Sequence, residues 1–267
     1  MTIHPRFDNP TSVNALITAP IVLRIASMFP RDLKRRDMHD KRTGGDLSHV
    51  QTDLSYLNTQ VTGEPNWIAR LLDEIALAQE NNLDEEIAAR EGKRRHKEAE
   101  EVRERGPVDP WKFTREGPLR EGVLTVNKLW FGGTGSEDWD LVRVKAFKKR
   151  GLDFLMTHFP GGQLRHVSNH EDEEAVHFHF VIAVWVEQTS QNRGRQWLLQ
   201  PSANPLLASY EYAQDLAGEA FADLGIHRGK RRAAALRQAR DAGFDAPEPR
   251  QHVPPSEWRR EQRLLAQ

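Results

Sequence analysis

The ten residues from His170 to His179, H-E-D-E-E-A-V-H-F-H, gather three imidazoles and four carboxylates. The stretch from Val176 to Val186 is β-branched or aromatic almost throughout and predicts a strand. Side chains alternate along a strand, so His177 and His179 leave one face while Phe178 and Phe180 fill a core on the other. Two imidazoles so placed can chelate one ion. His170 and the Asp172-Glu173 pair lie just upstream, across a strand connection, and supply further ligands. Histidine with a carboxylate suits borderline divalent metals and leaves coordination positions open to a phosphate oxygen. A histidine pair two apart can also be a merely polar strand face. The concentration of His170, Glu173, His177 and His179 within ten residues is what favours a metal. The H-E-x-x-H spacing of metalloproteases is absent.

Other elements must position this segment. Ile21–Ala26 and Val123–Val126 read as strands, and Leu164–Asn169 as a third. Trp139–His158 has the apolar spacing of a helix, stopped by Gly161-Gly162. Two more helices are expected near 205–224 and 229–242. From Pro65 to about Arg105 the pattern is helical, with Trp67, Leu71, Ile75 and Ala78 on one stripe. Its second half is nearly all charged and reads as a solvated helical arm. Residues 1–19 read as a loosely ordered start, 20–245 as one catalytic domain with 65–106 as a helical insertion, and 246–267 as a Pro-rich basic tail.

Composition narrows the class. The 267 residues are 38% hydrophobic and 29% charged, with a formal net charge of −1, so nucleic-acid binding would rest on local basic patches. Cysteine is absent, which excludes disulfides and thiolate metal sites and fits a cytoplasmic protein. No apolar run is long enough for membrane insertion, and the start lacks the pattern of a secretion signal.

The segment HEDEEAVHFH resembles the third motif of the MobV/Pre plasmid mobilisation and recombination relaxases, H-x-D-E-x-x-P-H-x-H. Val176 stands at the proline. Upstream, His39-Asp40-Lys41-Arg42 resembles the family's H-x-x-R, and Ser55-Tyr56-Leu57-Asn58 its S-x-L-N, with Thr59 where tyrosine often follows. Gly225-Ile-His-Arg-Gly229 is a fainter echo downstream.

The resemblance implies an α+β HUH endonuclease fold, an antiparallel sheet with packed helices. It implies metal-dependent nicking and rejoining of one DNA strand at a plasmid transfer origin, through a covalent 5′-phosphoryl intermediate. His170, Glu173, His177 and His179 would hold the divalent metal, Mn2+ or Mg2+. Asp172 would orient a histidine ring, because adjacent strand residues face opposite ways. Arg42 would grip a phosphate. His39 is the implied nucleophile, and Tyr56 its rival, tyrosine being usual in other HUH enzymes. DNA contacts are expected from Arg31, Lys34, Arg35, Arg36 and Lys41, and from Arg228, Lys230, Arg231 and Arg232. Trp111 or Trp130 could stack a base, whereas Trp67, Trp139 and Trp185 read as packing residues. The partners implied are transfer-origin DNA and the conjugation coupling machinery. Another HUH nuclease, such as a replication initiator or transposase-like enzyme, and a catalytically silent DNA-binding relative are the alternatives.

Overall fold

Strand pairing decides which side chains share a face. In the computed structural model, which describes residues 19–45, 47–244 and 264, β1 (Ala19–Met28) is followed by α1 (Leu33–Asp40), β2 (Thr59–Thr62), α2 (Trp67–Glu91) and α3 (His96–Arg105). Then come β3 (Leu119–Val126), the short α4 (Lys128–Phe131), α5 (Leu141–His158), β4 (Leu164–His170) and β5 (His177–Ile182). The chain continues through β6 (Trp185–Ser190), β7 (Gly194–Leu199), α6 (Pro205–Ala208), α7 (Tyr210–Ala220), β8 (Ile226–His227) and α8 (Arg232–Asp241). The six-stranded sheet runs β2-β4-β5-β3-β1-β8, antiparallel except for the short β1–β8 pair. This is the expected α+β architecture of an antiparallel sheet with packed helices. The expectations for the first 18 residues and for the Pro-rich tail fall outside the described residues.

Leu23, Leu124 and Phe178 stand side by side across β1, β3 and β5. They point into the larger core, where Val144, Phe147, Phe154 and Leu155 of α5 and Ala213 and Ala217 of α7 cover the sheet. Helix α5 begins on Asp140, whose carboxylate accepts from the backbone N–H groups of Val142 and Arg143. Gly151 lets this helix approach closely, since a Cβ there would lie 2.6 Å from the Phe178 ring. That contact explains a glycine inside a helix, where it costs about 1 kcal/mol relative to alanine.

The opposite face of the sheet divides. Its lower part is sealed by a second core, in which Leu33, Trp67, Leu71 and Ile75 meet Met28, Leu119 and Val181. Its upper part carries the polar site. A pivot between these two regions is Trp67, which stacks on His166 with centroids 4.7 Å apart.

Three sequence expectations change. The run Val176–Val186 is not one strand: β5 ends at Ile182, and Trp185 begins β6 in a separate two-stranded sheet. The helix expected over 205–224 breaks at Ser209, which is extended and whose hydroxyl accepts from the Tyr212 N–H as a new N-cap. The charged arm is two packed helices. Arg94 ends the first in a left-handed turn (φ 61°), and the Arg95 N–H closes back onto the Arg90 carbonyl at 3.0 Å. Helix α2 is also engaged along its length. Asn82 donates to the Trp197 carbonyl at 2.8 Å and accepts from its N–H at 2.7 Å, pairing with β7 as a neighbouring strand would. Glu86 is 2% exposed and takes Arg90, Arg105 and Arg193 at 2.8, 3.1 and 3.2 Å. Charge spacing resembles a solvated face until the partners are known.

Candidate active site

Register builds the site. Across β4 and β5, His170 lies directly opposite His177, and Ser168 opposite His179. The three imidazoles therefore share a face. His177 and His179 meet at 3.1 Å between their Nε2 atoms, and the His177 Nδ1–H donates to the Ala175 carbonyl at 2.9 Å. That bond leaves the His177 Nε2 lone pair facing the site.

Helix α1 brings a second layer. Arg36, His39 and Asp40 occupy one helical stripe by their i, i+3, i+4 spacing. The His39 ring sits 5.0 Å from that of His179 and 5.5 Å from that of His170. Arg36 Nη1 donates to His179 Nδ1 at 2.9 Å, and Arg36 Nη2 pairs with Asp40. Asp40 also accepts from His166 Nε2 at 3.0 Å and Ser168 Oγ at 3.1 Å. It thereby ties the helix that carries His39 to the strand that carries His170.

Just past α1, Arg42 adopts φ 54° and turns its guanidinium inward. Its Nε donates to Asp172 Oδ2 at 2.9 Å and its Nη2 to Asp172 Oδ1. Nη2 also reaches Glu173 Oε1 at 2.8 Å and His170 Nδ1 at 3.1 Å, while Nη1 donates to His39 Nε2 at 3.2 Å. A guanidinium offers no acceptor, so the His39 lone pair is at Nε2, on the Arg42 side. The 171–176 loop is held from the S-x-L-N segment. Ser55 Oγ donates to Asp172 Oδ2 at 2.7 Å, and the Glu171 N–H donates to Asn58 Oδ1 at 2.8 Å.

Burial and arginine charge set the protonation states. Desolvation, then Arg36 and Arg42, push His39 down to about 3. Burial lowers His170 to about 4 against the opposing pull of Asp40, and burial lowers His177 and His179 as well. Burial alone would raise both aspartates. The hydrogen bond from His166, with His170 and Arg36 close beside it, holds Asp40 far below the usual carboxylate range, and Arg42 and Ser55 hold Asp172 at about 2. At neutral pH His39, His170, His177 and His179 are therefore neutral, and Asp40, Asp172 and Glu173 are ionised.

Two sets of three ligands lie with their donor atoms within 4.8 Å of one another: His170, Glu173 and His177, and His39, His170 and His179. Glu173 Oε1 is 3.7 Å from His177 Nε2 and 3.9 Å from His170 Nδ1. Neighbouring ligands on one ion stand about 3 Å apart, given bonds of about 2.0–2.2 Å. The buried His170 Nε2 lacks a hydrogen bond, although Asp40 Oδ1 is 3.2 Å away. Nitrogen and oxygen donors at these separations fit a divalent ion after a small contraction. His179 belongs to the set with His39, and its Nε2 lies 3.1 Å from that of His177 in the Glu173 set.

Other expected residues are placed differently. Tyr56 lies in the Thr52–Leu57 turn with its ring 77% exposed. Arg36 corrects the expectation of a DNA contact: it is 8% exposed, with both terminal nitrogens committed inside the site. Arg31, Lys34, Arg35 and Lys41 are exposed; Arg31 lies over the Phe29 ring, Lys41 pairs with Asp37, and Arg35 is 4.0 Å from Glu121. Arg228 and Arg231 both pair with Asp215, and Lys230 is exposed. Trp130 is buried and donates to the Leu224 carbonyl, so it is no stacking platform, and Trp111 packs on the second core. Asp40, His166 and Ser168 have site contacts that sequence reasoning missed, as does His49, whose Nε2 is 3.6 Å from Glu173 Oε2. Ser55 and Asn58, named there only within the S-x-L-N segment, gain their partners in the 171–176 loop. The helical spacing of Arg36, His39 and Asp40 and the strand alternation of His166, Ser168 and His170 were the available signals.

Solved structures of the MobM relaxase domain (MOBV; Mob_Pre) bound to plasmid pMV158 oriT DNA share this architecture. The Mn-bound crystal structure at pH 6.8 matches with a TM-score of 0.57 at 15% identity, over 91% of this chain and 98% of that one. Mn-bound structures at pH 5.5 and 4.6 give 0.55 and 0.54, each at 15% identity, over 91% and 90% of this chain and 99% of theirs. This chain has the MobM relaxase fold. No protein-family model and no characterised protein sequence matches it. In this chain the His face of β4 and β5 lies under the end of α1. Among the described residues, no helix is long and apolar enough to cross a membrane.

Proposed function

We propose that this chain is a metal-dependent DNA relaxase. It nicks and rejoins one strand at a plasmid transfer origin, in the cytoplasm, for mobilisation or recombination. The observation that carries this reading is the convergence of His39 and Arg42, from the end of α1, on the imidazoles and Glu173 of the β4–β5 loop. The bound DNA and Mn in the MobM structures support it.

The residues divide the work. His170, Glu173, His177 and His179 would hold Mn2+ or Mg2+, which supplies positive charge against the scissile phosphate. His39 is kept neutral, and its Nε2 lone pair, which accepts from Arg42 in the free site, is released to phosphorus as Arg42 turns to the phosphate oxygens. Attack on phosphorus forms an N–P bond and breaks the P–O3′ bond; the 3′ oxygen departs and takes up a proton, and the 5′ phosphate stays on His39. Return of the 3′ hydroxyl reverses the step, and the phosphoramidate conserves the energy needed to reseal. Arg42 sits at the attacking atom, where its fork can follow charge onto the phosphate oxygens. Asp172 orients Arg42. The nicked strand is then available to coupling machinery.

The test is incubation of the protein with supercoiled plasmid carrying its native neighbouring region, with Mn2+ and with chelator. Metal-dependent relaxation with protein retained on the 5′ end is expected. DNA binding with no nicking under any metal would sink the enzymatic reading in favour of a silent relative.

A further inference from the structure

Three cavities run together along the open half of the site face. One of about 320 Å3 lies between Arg36, His39 and Gly44. The next, about 620 Å3, shares Arg36 and Glu121 with the first and extends past His179 to Arg24 and Tyr210. The third, about 840 Å3, shares Arg24 and Tyr210 and ends between Gln214 and the His227–Arg231 segment. Arg24, Val123 and His179 form one rank across β1, β3 and β5, so the groove crosses the sheet from the imidazoles to its far edge. Three strand spacings separate β5 from β8, roughly 14 Å.

Resting on the relaxase reading, we propose that this groove carries the unpaired nucleotides adjoining the scissile phosphate. Tyr210 stacks one base and Arg24 binds a phosphate beside it. Tyr210 stands at the junction of two cavities, 58% exposed, and its hydroxyl donates to the Leu23 carbonyl at 3.3 Å. The ring is thus fixed while its face stays open, as a stacking platform requires. Arg24 is exposed and forms no ion pair among the described residues. The carboxylates on the groove wall are answered: Glu121 faces Arg35 at 4.0 Å, and Glu211 pairs with Arg237 at 2.6 Å. Lys230 extends the positive charge at the far end.

The experiment uses fluorescein-labelled oligothymidylates of 6 to 20 nucleotides (~6–20, spanning one to several groove lengths) and the full chain. Binding is read by anisotropy across a salt series. Versions carrying one 5-iododeoxyuridine at successive positions are photo-crosslinked and mapped by mass spectrometry. Tyr210→Ala should weaken binding about 5- to 100-fold, and Tyr210→Phe should retain it. Arg24→Ala should reduce the slope of log K against log salt by about 0.7. A crosslink should map to Tyr210. Tight wild-type binding that is indifferent to Tyr210→Ala, with crosslinks elsewhere, would overturn the groove and leave the relaxase reading standing. Failure of every oligonucleotide to bind the wild type would overturn both.

Discussion

Arg42 grips Asp172 with two parallel donors, from Nε and Nη2, and both side chains are shut from solvent, at 6% and 0% exposure. The same guanidinium touches His39, His170 and Glu173. One side chain therefore connects the implied nucleophile, two implied metal ligands and the loop between them. Its left-handed backbone is what turns it inward from the end of α1.

The fork makes Asp172 a positioning residue with a measurable cost. Asp172→Asn removes the carboxylate that the fork spans and leaves Glu173 as the counter-ion of Arg42, a loss of about 3 kcal/mol, the lower end of what breaking a buried pair costs. Urea unfolding should register that loss, and nicking should fall with it. Arg42→Lys should not restore activity, because a single ammonium cannot span both oxygens and His39. Equal activity of Arg42→Lys and wild type would show that charge alone suffices.

Arg36 and Lys34 separate burial from DNA contact. Both lie in the basic run 31–42, which reads uniformly as a phosphate-binding patch. In the fold Lys34 is exposed while Arg36 is locked between His179 and Asp40. Lys34→Ala should change stability by no more than about 0.5 kcal/mol and lower the salt slope of DNA binding by about 0.7–0.9. Arg36→Ala should destabilise by about 3 kcal/mol or more with its main effect on metal affinity and turnover. Calorimetric titration with Mn2+, unfolding and DNA anisotropy together distinguish the two patterns.

The same contrast explains what was legible in the sequence. Strand alternation placed His177 and His179 on one face and Phe178 on the other because the period of two is intrinsic to the strand. The basic run could not be divided, because which helical face meets the sheet depends on contacts over a hundred residues away, such as Arg36 with His179. The charged stretch 83–105 misled for a related reason. The carboxylate of Glu86 is satisfied partly by Arg193, from a hairpin far along the chain. Ile182, where β5 ends, has no Gly or Pro beside it, whereas Ser209 marks its break locally, through the hydroxyl that caps α7.

Acid should weaken the fold through its imidazoles. His39 and His170 fall to about 3 and about 4 from 6.5, so the unfolded chain binds more protons than the folded one across that interval. Stability must then rise with pH from about 4 to about 6.5 and level off above. Asp172, held at about 2, works the same way at lower pH: its contribution is present above 3.8 and lost as pH falls toward 2. Urea midpoints measured in chelator should therefore drop between pH 7 and pH 5. His39→Asn should make that drop shallower. A flat profile would mean these rings are not held neutral.

Metal removal should be visible without activity. A ligand that binds only the folded state adds about 2.7 kcal/mol at a hundred times its Kd. Saturating Mn2+ should thus raise the melting temperature and chelator should reverse the shift. His177→Ala should abolish most of it, because His177 Nε2 is the lone pair that its own Ala175 hydrogen bond orients into the site. Tyr56→Phe should leave the shift intact.

The nucleophile rests on placement. His39 stands within 5.5 Å, ring to ring, of His170 and His179, neutral, with its Nε2 held by Arg42. Tyr56 belongs to the turn whose Ser55 anchors Asp172, yet its ring is 77% exposed. A tyrosine acting as nucleophile needs a base or cation at its hydroxyl, and no hydrogen bond or ion pair to Tyr56 is present among the described residues. His39→Ala should therefore abolish the covalent protein–DNA adduct on denaturing gels while DNA binding persists, and Tyr56→Phe should leave adduct formation within about threefold, since it removes no group that stabilises the transition state. An adduct on His39→Ala that disappears in the double variant with Tyr56→Phe would reassign the chemistry to the tyrosine. Acid lability provides an independent check, because a phosphoramidate is hydrolysed in mild acid where a phosphotyrosine ester survives.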